Sequence, residues 1–315
     1  MVSVPASGTT TFTRSIEDAA RAGRRVGTTL VGPAVLVVIA VNILPAFFGF
    51  YSSLRKIFFF GDEGFAGLDN FRSLFADPLT WEAIGRSLIF TFGALALAVP
   101  LALLAALAVR ELGARGRILL TILLVPWAMS PIVVALLWKW ILLPSPGGLF
   151  ASILATFGMP PANLLSNPTW AMPTVIAVAV WRTFAFAAII LTAGLGQIPK
   201  DLYRAAAVDG LTAMERFSRI TVPLLAPSIL IVLSMLTISY FNEVQVIIGL
   251  TSGGPIHSTT TLAYQLYLTG FVELDQGRGN AIAVVMFLIN LVLIVGYVQL
   301  LGNKKGGEAL TRGCV

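Results

Sequence analysis

The chain has 315 residues, of which 57% are hydrophobic and only 11% are charged, whereas about one quarter of the residues of a soluble domain are charged. With a mean hydropathy of +0.88, this composition excludes an ordinary soluble protein and indicates a protein embedded in a membrane. The single histidine and the single cysteine, Cys314 in the C-terminal tail, argue against a histidine-ligated metal site, a thiolate cluster and a disulfide framework.

Apolar runs divide the chain into six predicted transmembrane helices, each long enough to cross about 30 Å of hydrocarbon. Residues 1–28 are polar and precede the first helix as a cytoplasmic lead-in, and residues 303–315 form a short cytoplasmic tail. The expected fold class for residues 29–302 is therefore an all-α integral membrane protein. The six predicted helices cover residues 29–51, 86–109, 118–142, 169–194, 223–249 and 279–301.

The segments between these helices differ in polarity. The segment that follows the first helix, up to about residue 85, mixes apolar and acidic residues. Residues 143–168 are uncharged and rich in proline, glycine and asparagine, so we predict a loop there, with a short helix at residues 148–157. Residues 250–278 are predicted to form a second long loop.

Basic side chains predict the orientation in the membrane, because Lys and Arg are enriched in cytoplasmic loops. Assigning the basic side to the cytoplasm places both termini inside the cell, and only Arg55, Lys56, Arg72 and Arg278 then lie in outer segments. The net charge of +6 is thereby explained by topology. A nucleic-acid partner is not expected.

The most polar internal segment is residues 196–222, which we call the polar loop. It is predicted to form two short helices joined by a tight turn. Gly210 can take the left-handed conformation that ends the first helix, and Thr212 with Glu215 forms a capping box that starts the second. Pro223 then opens the next apolar run. Because charged groups are costly in hydrocarbon, the polar loop is predicted to stand in water at the cytoplasmic face.

One set of residues in the polar loop carries a family resemblance. Two alanines are followed, after three variable residues, by a glycine, and the sequence I-x-x-P comes about ten residues later. This pattern resembles the cytoplasmic loop of the membrane subunits of binding-protein-dependent ABC importers. In that family the loop docks on a separate ATP-hydrolysing subunit, whereas a solvated helix pair without such a partner is the alternative. Arg204 stands where the family usually has Glu. The positions that match are Ala205, Ala206, Asp209, Gly210, Phe217, Ile220, Pro223 and Pro227.

A second motif lies after the fifth predicted helix, where Leu250, Thr251, Gly253, Gly254 and Pro255 read L-T-x-G-G-P. This ending resembles the maltose- and glycerol-phosphate-type first permease of bacterial ABC sugar importers. The resemblance covers most of residues 29–302 and implies the type I ABC importer permease fold in the bacterial cytoplasmic (inner) membrane.

The resemblance also implies partners. They are a second, unlike permease subunit, two ATP-binding subunits and an extracytoplasmic solute-binding protein, together with the lipid bilayer and a sugar-like ligand. No cofactor is expected on this chain, since ATP and Mg²⁺ would be bound by the partner ATPase subunits.

Polar residues at predicted membrane depth are candidates for a substrate pathway. Arg182 lies near the middle of the fourth helix, too deep to reach either surface easily. It is expected either to face the cavity or a partner, in a network with Asn290, or to form a buried structural ion pair. Lys139 and Glu243 are both predicted near the outer interface, where Glu243 could pair with Lys139 or could equally face the outer vestibule.

The stretch from Tyr240 to Gln245 supplies the groups that bind sugars, which are planar amides or carboxylates beside an aromatic ring. Aromatic side chains in membrane helices are also common packing residues, so each position is individually weak. The predicted pathway residues are Trp181, Arg182, Tyr240, Asn242, Glu243, Gln245 and Asn290.

The sequence contains no G-x-x-x-x-G-K-[ST] motif, so no P-loop for ATP is present, and the energy must come from another subunit or an ion gradient. We predict a permease subunit that forms the path for a sugar or polyol and couples to an ATPase through residues 200–221. An ion-coupled secondary transporter is the alternative, although Glu243 is its only candidate carboxylate. A membrane-embedded enzyme is disfavoured by the single histidine.

Overall fold

The computed structural model describes residues 32–33, 35–144 and 147–309, with side chains as far as residue 299. The predicted lead-in, residues 1–28, and the end of the predicted tail, residues 310–315, lie outside the described residues. The described part contains five helices that are long and apolar enough to cross a membrane, and a sixth if one sharply bent pair is counted as a single span. The chain divides into two compact units, one ending at Ser52 and the other beginning at Ser53.

Most of the described part of the first unit belongs to the first membrane helix, α1 (Val35–Ser53). Its exposed Val, Leu, Ile and Phe side chains are those expected of a helix that faces hydrocarbon. The helix contains a π turn at Ile39–Ile43. There the Asn42 amide donates a hydrogen bond to the carbonyl of Val38 at 3.0 Å, so this polar side chain is satisfied within its own helix.

The second unit opens with a small β-hairpin within the segment predicted as mixed. Strand β1 (Arg55–Phe58) pairs antiparallel with β2 (Gly61–Phe65), and helix α2 (Asp69–Ala76) follows. An ion pair between Arg55 and Asp62, at 2.7 Å, joins the two strands. The hydrogen bond from this guanidinium lowers the pKa of Asp62.

The second membrane helix, α3 (Pro78–Leu112), starts at Pro78 and not at residue 86 as predicted. The side chain of Asp77 caps it by accepting a hydrogen bond from the backbone N–H of Leu79 at 3.0 Å, and proline suits the first helical position. Its first turns contain an exposed ion pair of Glu82 with Arg86 at 2.6 Å. Because these turns contain charged residues, a prediction based on apolar runs did not include them in the helix.

The third predicted helix, residues 118–142, is not continuous. It consists of α4 (Ala114–Leu123), the single turn α5 (Val125–Ala128) and α6 (Pro131–Ile141), with a bend of 95° before α6. The break has a local cause, because the residue before a proline is pushed out of the helical conformation. Ser130, which precedes Pro131, has ψ of 132°. Helix α7 (Leu149–Thr156) then confirms the short helix predicted at 148–157.

The fourth membrane helix, α8 (Pro168–Gly196), packs along α3. The buried positions of α3 form a seam of alanines at every fourth residue, which places them on one face of the helix. Side chains this small allow the backbones of two membrane helices to come close. The alanines of this seam, all fully buried, are Ala94, Ala98, Ala102 and Ala106.

After α8 the chain forms α9 (Lys200–Val208) and the fifth membrane helix, α10 (Ala213–Phe241), which includes a π turn at Phe217–Thr221. The predicted range of 223–249 is therefore wrong at both ends. The segment after Phe241 is a separate helix, α11 (Gln245–Leu250), which packs against α6. A Cβ on Gly249 would clash with Ala135 there, so glycine permits the close contact.

The predicted loop at 250–278 also contains regular structure. Helix α12 (Leu262–Tyr267) continues through a π turn at Leu268–Val272, and the sixth membrane helix, α13 (Gln276–Ala309), follows. An ion pair between Arg278 and Asp77, at 2.9 Å, connects the start of α13 with the start of α3.

Candidate functional site

The polar loop has the local structure that its residue types dictate. Gly210 has φ of +79°, and the N–H of Leu211 donates to the carbonyl of Ala206 at 3.0 Å, which closes the end of α9. The capping box is confirmed: the Thr212 hydroxyl accepts from the N–H of Glu215, and the Glu215 carboxylate accepts from the N–H of Thr212. The turn between the two helices is thus held by backbone and side-chain hydrogen bonds that span only a few residues.

The residues that match the family pattern divide by exposure. Ala206 is buried, which fixes the packed face of α9, while Phe217 and Ile220 are half-buried. The exposed members are Ala205, Asp209, Gly210, Pro223 and Pro227, and Arg204, which departs from the pattern, is exposed as well.

Apolar side chains also stand exposed on the polar loop. Val208 is 87% exposed, Met214 72% and Leu202 44%. Exposed apolar residues grouped among charged ones are typical of a surface that another protein covers. The family pattern alone did not include these three positions. The sequence signal that could have identified them as surface positions for a partner is an apolar residue among Asp, Lys and Arg.

Arg204, the departure from the family pattern, forms an ion pair with Asp201 at 3.0 Å, and both side chains are largely exposed. Arg204 is therefore paired within α9 itself. Because water screens such a pair, its contribution to stability is at most about 1 kcal/mol.

A second group of candidate residues surrounds a buried ion pair. Arg182, on α8, lies 3.2 Å from the carboxylate of Glu243, and both side chains are at most 10% exposed. The other oxygen of Glu243 accepts a hydrogen bond from the N–H of Val246 at 3.1 Å, at the start of α11. The Nε of Arg182 has no hydrogen-bond partner in the described part of the chain.

This pairing corrects the predicted depth of Glu243. The prediction counted from residue 223 and placed Glu243 level with Lys139, but α10 begins at Ala213. Gly194, near the end of α8, packs so closely on Ser228 that a Cβ there would overlap it. The first turns of α10 therefore extend past the end of α8 on the side of the polar loop, and Glu243 lies level with Arg182.

Two other predicted pathway residues are packed inside the protein. The hydroxyl of Tyr240 is hydrogen-bonded to that of Thr183 on α8, and its ring meets the edge of Phe90 with ring centres 6.1 Å apart. Asn290, on α13, is buried and donates to the carbonyl of Met286 at 3.0 Å. The structure does not join Asn290 to Arg182, so the predicted network between them is absent from the described residues.

The remaining predicted pathway residues are exposed. Trp181 packs edge-on against Trp138, with ring centres 5.4 Å apart, beside a cavity of about 360 Å³ that Trp170 also lines. Asn242 donates to the carbonyl of Ile238 at 2.7 Å, and Gln245 is exposed at the start of α11. The sequence prediction missed Trp138 and Trp170 as neighbours of Trp181.

The L-T-x-G-G-P motif forms a compact turn. The hydroxyls of Thr251 and Thr259 are 2.8 Å apart, and Thr260 donates to the carbonyl of Gly253 at 3.0 Å. Gly253 has φ of +77°, and a Cβ there would clash with Tyr264. Within the described residues, no group of three or more His, Cys, Asp or Glu side chains could hold a metal ion.

Comparison with known proteins gives a consistent result. Residues 98–301 match the family model described as the binding-protein-dependent transport system inner membrane component. A trehalose/maltose transport system permease protein from Thermococcus litoralis is 35% identical over 280 residues, which are 87% of this chain and 93% of the relative. An sn-glycerol-3-phosphate transport system permease protein from Escherichia coli is 35% identical over 269 residues, covering 84% and 90% of the two chains.

The fold has solved counterparts too. A chain of a bacterial ABC transporter involved in the import of the acidic polysaccharide alginate superposes with a TM-score of 0.76 at 23% identity, covering 93% of this chain and 99% of that one. The comparisons give no support to an ion-coupled secondary transporter. The relatives are transport subunits and not enzymes. The chain therefore belongs to the binding-protein-dependent transport system inner membrane components, the permease subunits of ABC importers.

Proposed function

We propose that this permease imports a sugar or a related polyol, and that it works as one of two unlike permease subunits. The observation that carries the proposal is the similarity, over more than four fifths of the chain, to permeases named for trehalose/maltose, sulfoquinovosyl glycerol and sn-glycerol 3-phosphate. All four of these compounds carry at least two alcohol hydroxyl groups. The permease forms part of the path, and an extracytoplasmic solute-binding protein delivers the compound to it.

The energy for transport comes from two separate ATP-binding subunits, which hold the ATP and Mg²⁺. These subunits dock on the polar loop at the cytoplasmic face. The exposed apolar side chains of Val208 and Met214 support this docking, because a partner that covers them removes apolar surface from water. Both termini lie in the cytoplasm of a bacterial cell, as the distribution of Lys and Arg favours.

The buried ion pair has a different role. Arg182 and Glu243 hold α8 to the segment between α10 and α11, so that the path on this side is closed by a contact between two elements. Opening the path requires these elements to separate, and the exposed Trp181, Asn242 and Gln245 then contact the passing sugar. Hydrogen bonds from amides and an aromatic face suit a polyhydroxy compound.

Two measurements test the function. A strain that lacks the gene is tested for uptake of radiolabelled trehalose, maltose and sn-glycerol 3-phosphate, and the tagged permease is purified to identify ATP-hydrolysing subunits bound to it. We expect loss of uptake of at least one compound, its recovery when the gene is restored, and a co-purifying ATPase. Normal uptake of all three compounds together with the absence of an ATPase would contradict the proposal.

A further inference from the structure

Tyr203, in the middle of α9, contacts two membrane helices with one side chain. The guanidinium carbon of Arg110 lies 4.2 Å from the centre of the Tyr203 ring, and Arg110 belongs to the last turn of α3. The Tyr203 hydroxyl is 3.0 Å from the hydroxyl of Thr221, which is the last residue of the π turn in α10. The second and fifth membrane helices are therefore linked through the ring and the hydroxyl of the same residue.

The end of this link on α10 is an unusual piece of helix. π turns within α-helices are uncommon and lie frequently at functional sites, and the turn at Phe217–Thr221 is one of three in the described residues. Thr221 is buried, and its hydroxyl also lies 3.5 Å from the carbonyl of Arg216, five residues earlier. A threonine hydroxyl has one hydrogen to donate and can also accept. It can therefore donate to Arg216 within the π turn while accepting from Tyr203.

The rest of α9 is only sparsely attached. Its backbone makes few close approaches to other helices in the described part of the chain, and a cavity of about 410 Å³ lies beside Tyr203, lined also by Arg110, Arg216 and Phe217. Where backbones do not pack directly, displacement is carried by the side chains that bridge the gap. Tyr203 makes both the contact with Arg110 and the contact with Thr221.

We propose that Tyr203 is a positioning residue that transmits displacement of α9 to α3 and α10 together. The inference rests on the proposed coupling role of the polar loop. The cation–π contact with Arg110 holds the ring at the end of α3, and the hydrogen bond to Thr221 fixes the distance from α9 to the π turn. A force that a docked ATPase applies to α9 then reaches two membrane helices through one rigid aromatic group.

The first test measures transport per ATP hydrolysed in the complete transporter, reconstituted in lipid vesicles with its binding protein. The transported probe is radiolabelled maltose, or sn-glycerol 3-phosphate if the wild type takes up only that compound. Tyr203→Phe and Thr221→Val each remove the hydrogen bond between these two residues and hardly change side-chain volume, and Thr221→Val also removes the contact with the Arg216 carbonyl. We expect each to lower transport per ATP roughly fivefold, and the double variant to be no worse than Thr221→Val alone.

Tyr297→Phe is the matched control. The Tyr297 hydroxyl accepts a hydrogen bond from Thr237 at 3.2 Å and so joins α13 to α10, away from the polar loop. We expect its transport per ATP to equal that of the wild type. Tyr203→Leu, which also removes the ring from Arg110, is expected to reduce transport per ATP more than Tyr203→Phe does.

The second test follows the motion directly and needs no transported compound. Spin labels are attached at Ala207→Cys, on the exposed side of α9, and at Leu112→Cys, at the end of α3, in a Cys314→Ser background within the complete transporter. We expect ATP to leave the distance between the labels unchanged when Tyr203 is present, because the two helices move together. With Tyr203→Leu or Arg110→Gln, we expect ATP to shift or broaden this distance.

Unchanged transport per ATP in both Tyr203→Phe and Thr221→Val, or an ATP-induced distance change that is the same with and without Tyr203, would overturn the inference. These conservative variants decide the case even if Tyr203→Leu fails to assemble. Failure of the proposed function has a different outcome, since the wild type itself would then bind no ATPase and take up none of the probes.

Discussion

The polar loop and the buried ion pair place charge in opposite surroundings. In the polar loop most charged side chains are exposed, and the apolar side chains of Val208 and Met214 are exposed with them. Around Arg182 and Glu243, charge is enclosed by protein, and one N–H of Arg182 has no acceptor within the described residues. Substitutions in the loop should therefore affect partner binding and leave folding intact, whereas substitutions in the pair should affect folding first.

The largest effect is expected when one member of the buried pair is removed. Glu243→Gln leaves the Arg182 guanidinium buried without a counter-charge, which should destabilise the protein by about 3 kcal/mol or more. Thermal unfolding of the purified transporter in detergent measures this as a lowered Tm. The control replaces both residues by Met, which should recover most of the stability because no charge is then left unpaired. A double variant as unstable as Glu243→Gln would show that the pairing is not the cause.

A smaller effect on stability, but a large one on transport, is expected at Gly210. Gly210→Val forces a β-branched residue into positive φ and should distort the end of α9, at a cost of about 1–2 kcal/mol. We expect membrane levels close to the wild type but loss of the bound ATPase and of uptake. Gly210→Asn is the matched control, because asparagine tolerates this conformation, and it should retain most of the activity. Equal activity in the two variants would contradict the role of the turn.

An intermediate effect on partner binding is expected at Val208. Val208→Asp places a charge within the proposed docking surface and should weaken ATPase binding roughly tenfold, as burying an unpaired charge is costly. Val208→Ile keeps the apolar surface and should bind as the wild type does. Co-purification of the ATPase at increasing salt or detergent concentration compares the two. Equal retention of the ATPase would argue that Val208 remains exposed in the transporter.

The smallest effect is expected at Arg204. Arg204→Ala breaks an exposed ion pair with Asp201 and should change the free energy of unfolding by less than about 1 kcal/mol. If the family's usual glutamate contacts the ATPase at this position, Arg204→Glu should increase ATPase binding, whereas a purely solvated position should show no change. The measurement is the same co-purification, with Arg204→Lys as the control that keeps the charge.

The same two regions show what the sequence could predict. The turn at Gly210 and the capping box of Thr212 and Glu215 depend on residues only a few positions apart, and local rules predicted them correctly. The contact of Arg182 with Glu243 joins residues 61 positions apart and depends on how α8 and α10 are aligned. No local pattern contains that alignment, which is set by close packing such as that of Gly194 on Ser228.

The membrane helices lie between these cases. Hydrophobicity predicted that these helices exist. It did not predict their ends where charged turns extend a helix beyond its apolar part, as in α3, which begins at Pro78 and not at residue 86. The break in the third helix did have a local signal in the sequence, namely Pro131, because proline disfavours the helical conformation of the residue before it. In the structure, Met129 and Ser130 both take extended conformations. The end of α10 at Phe241 had only the weaker signal of Asn242, because neither glycine nor proline marks it.

The alanine seam of α3 has a consequence for how the transporter moves. Side chains this small let the backbones of α3 and α8 approach closely, so sliding one helix along the other would break close contacts over several turns. The two helices are therefore expected to tilt as one body. A push received at the cytoplasmic end of one of them would reach the far side of the bilayer through both.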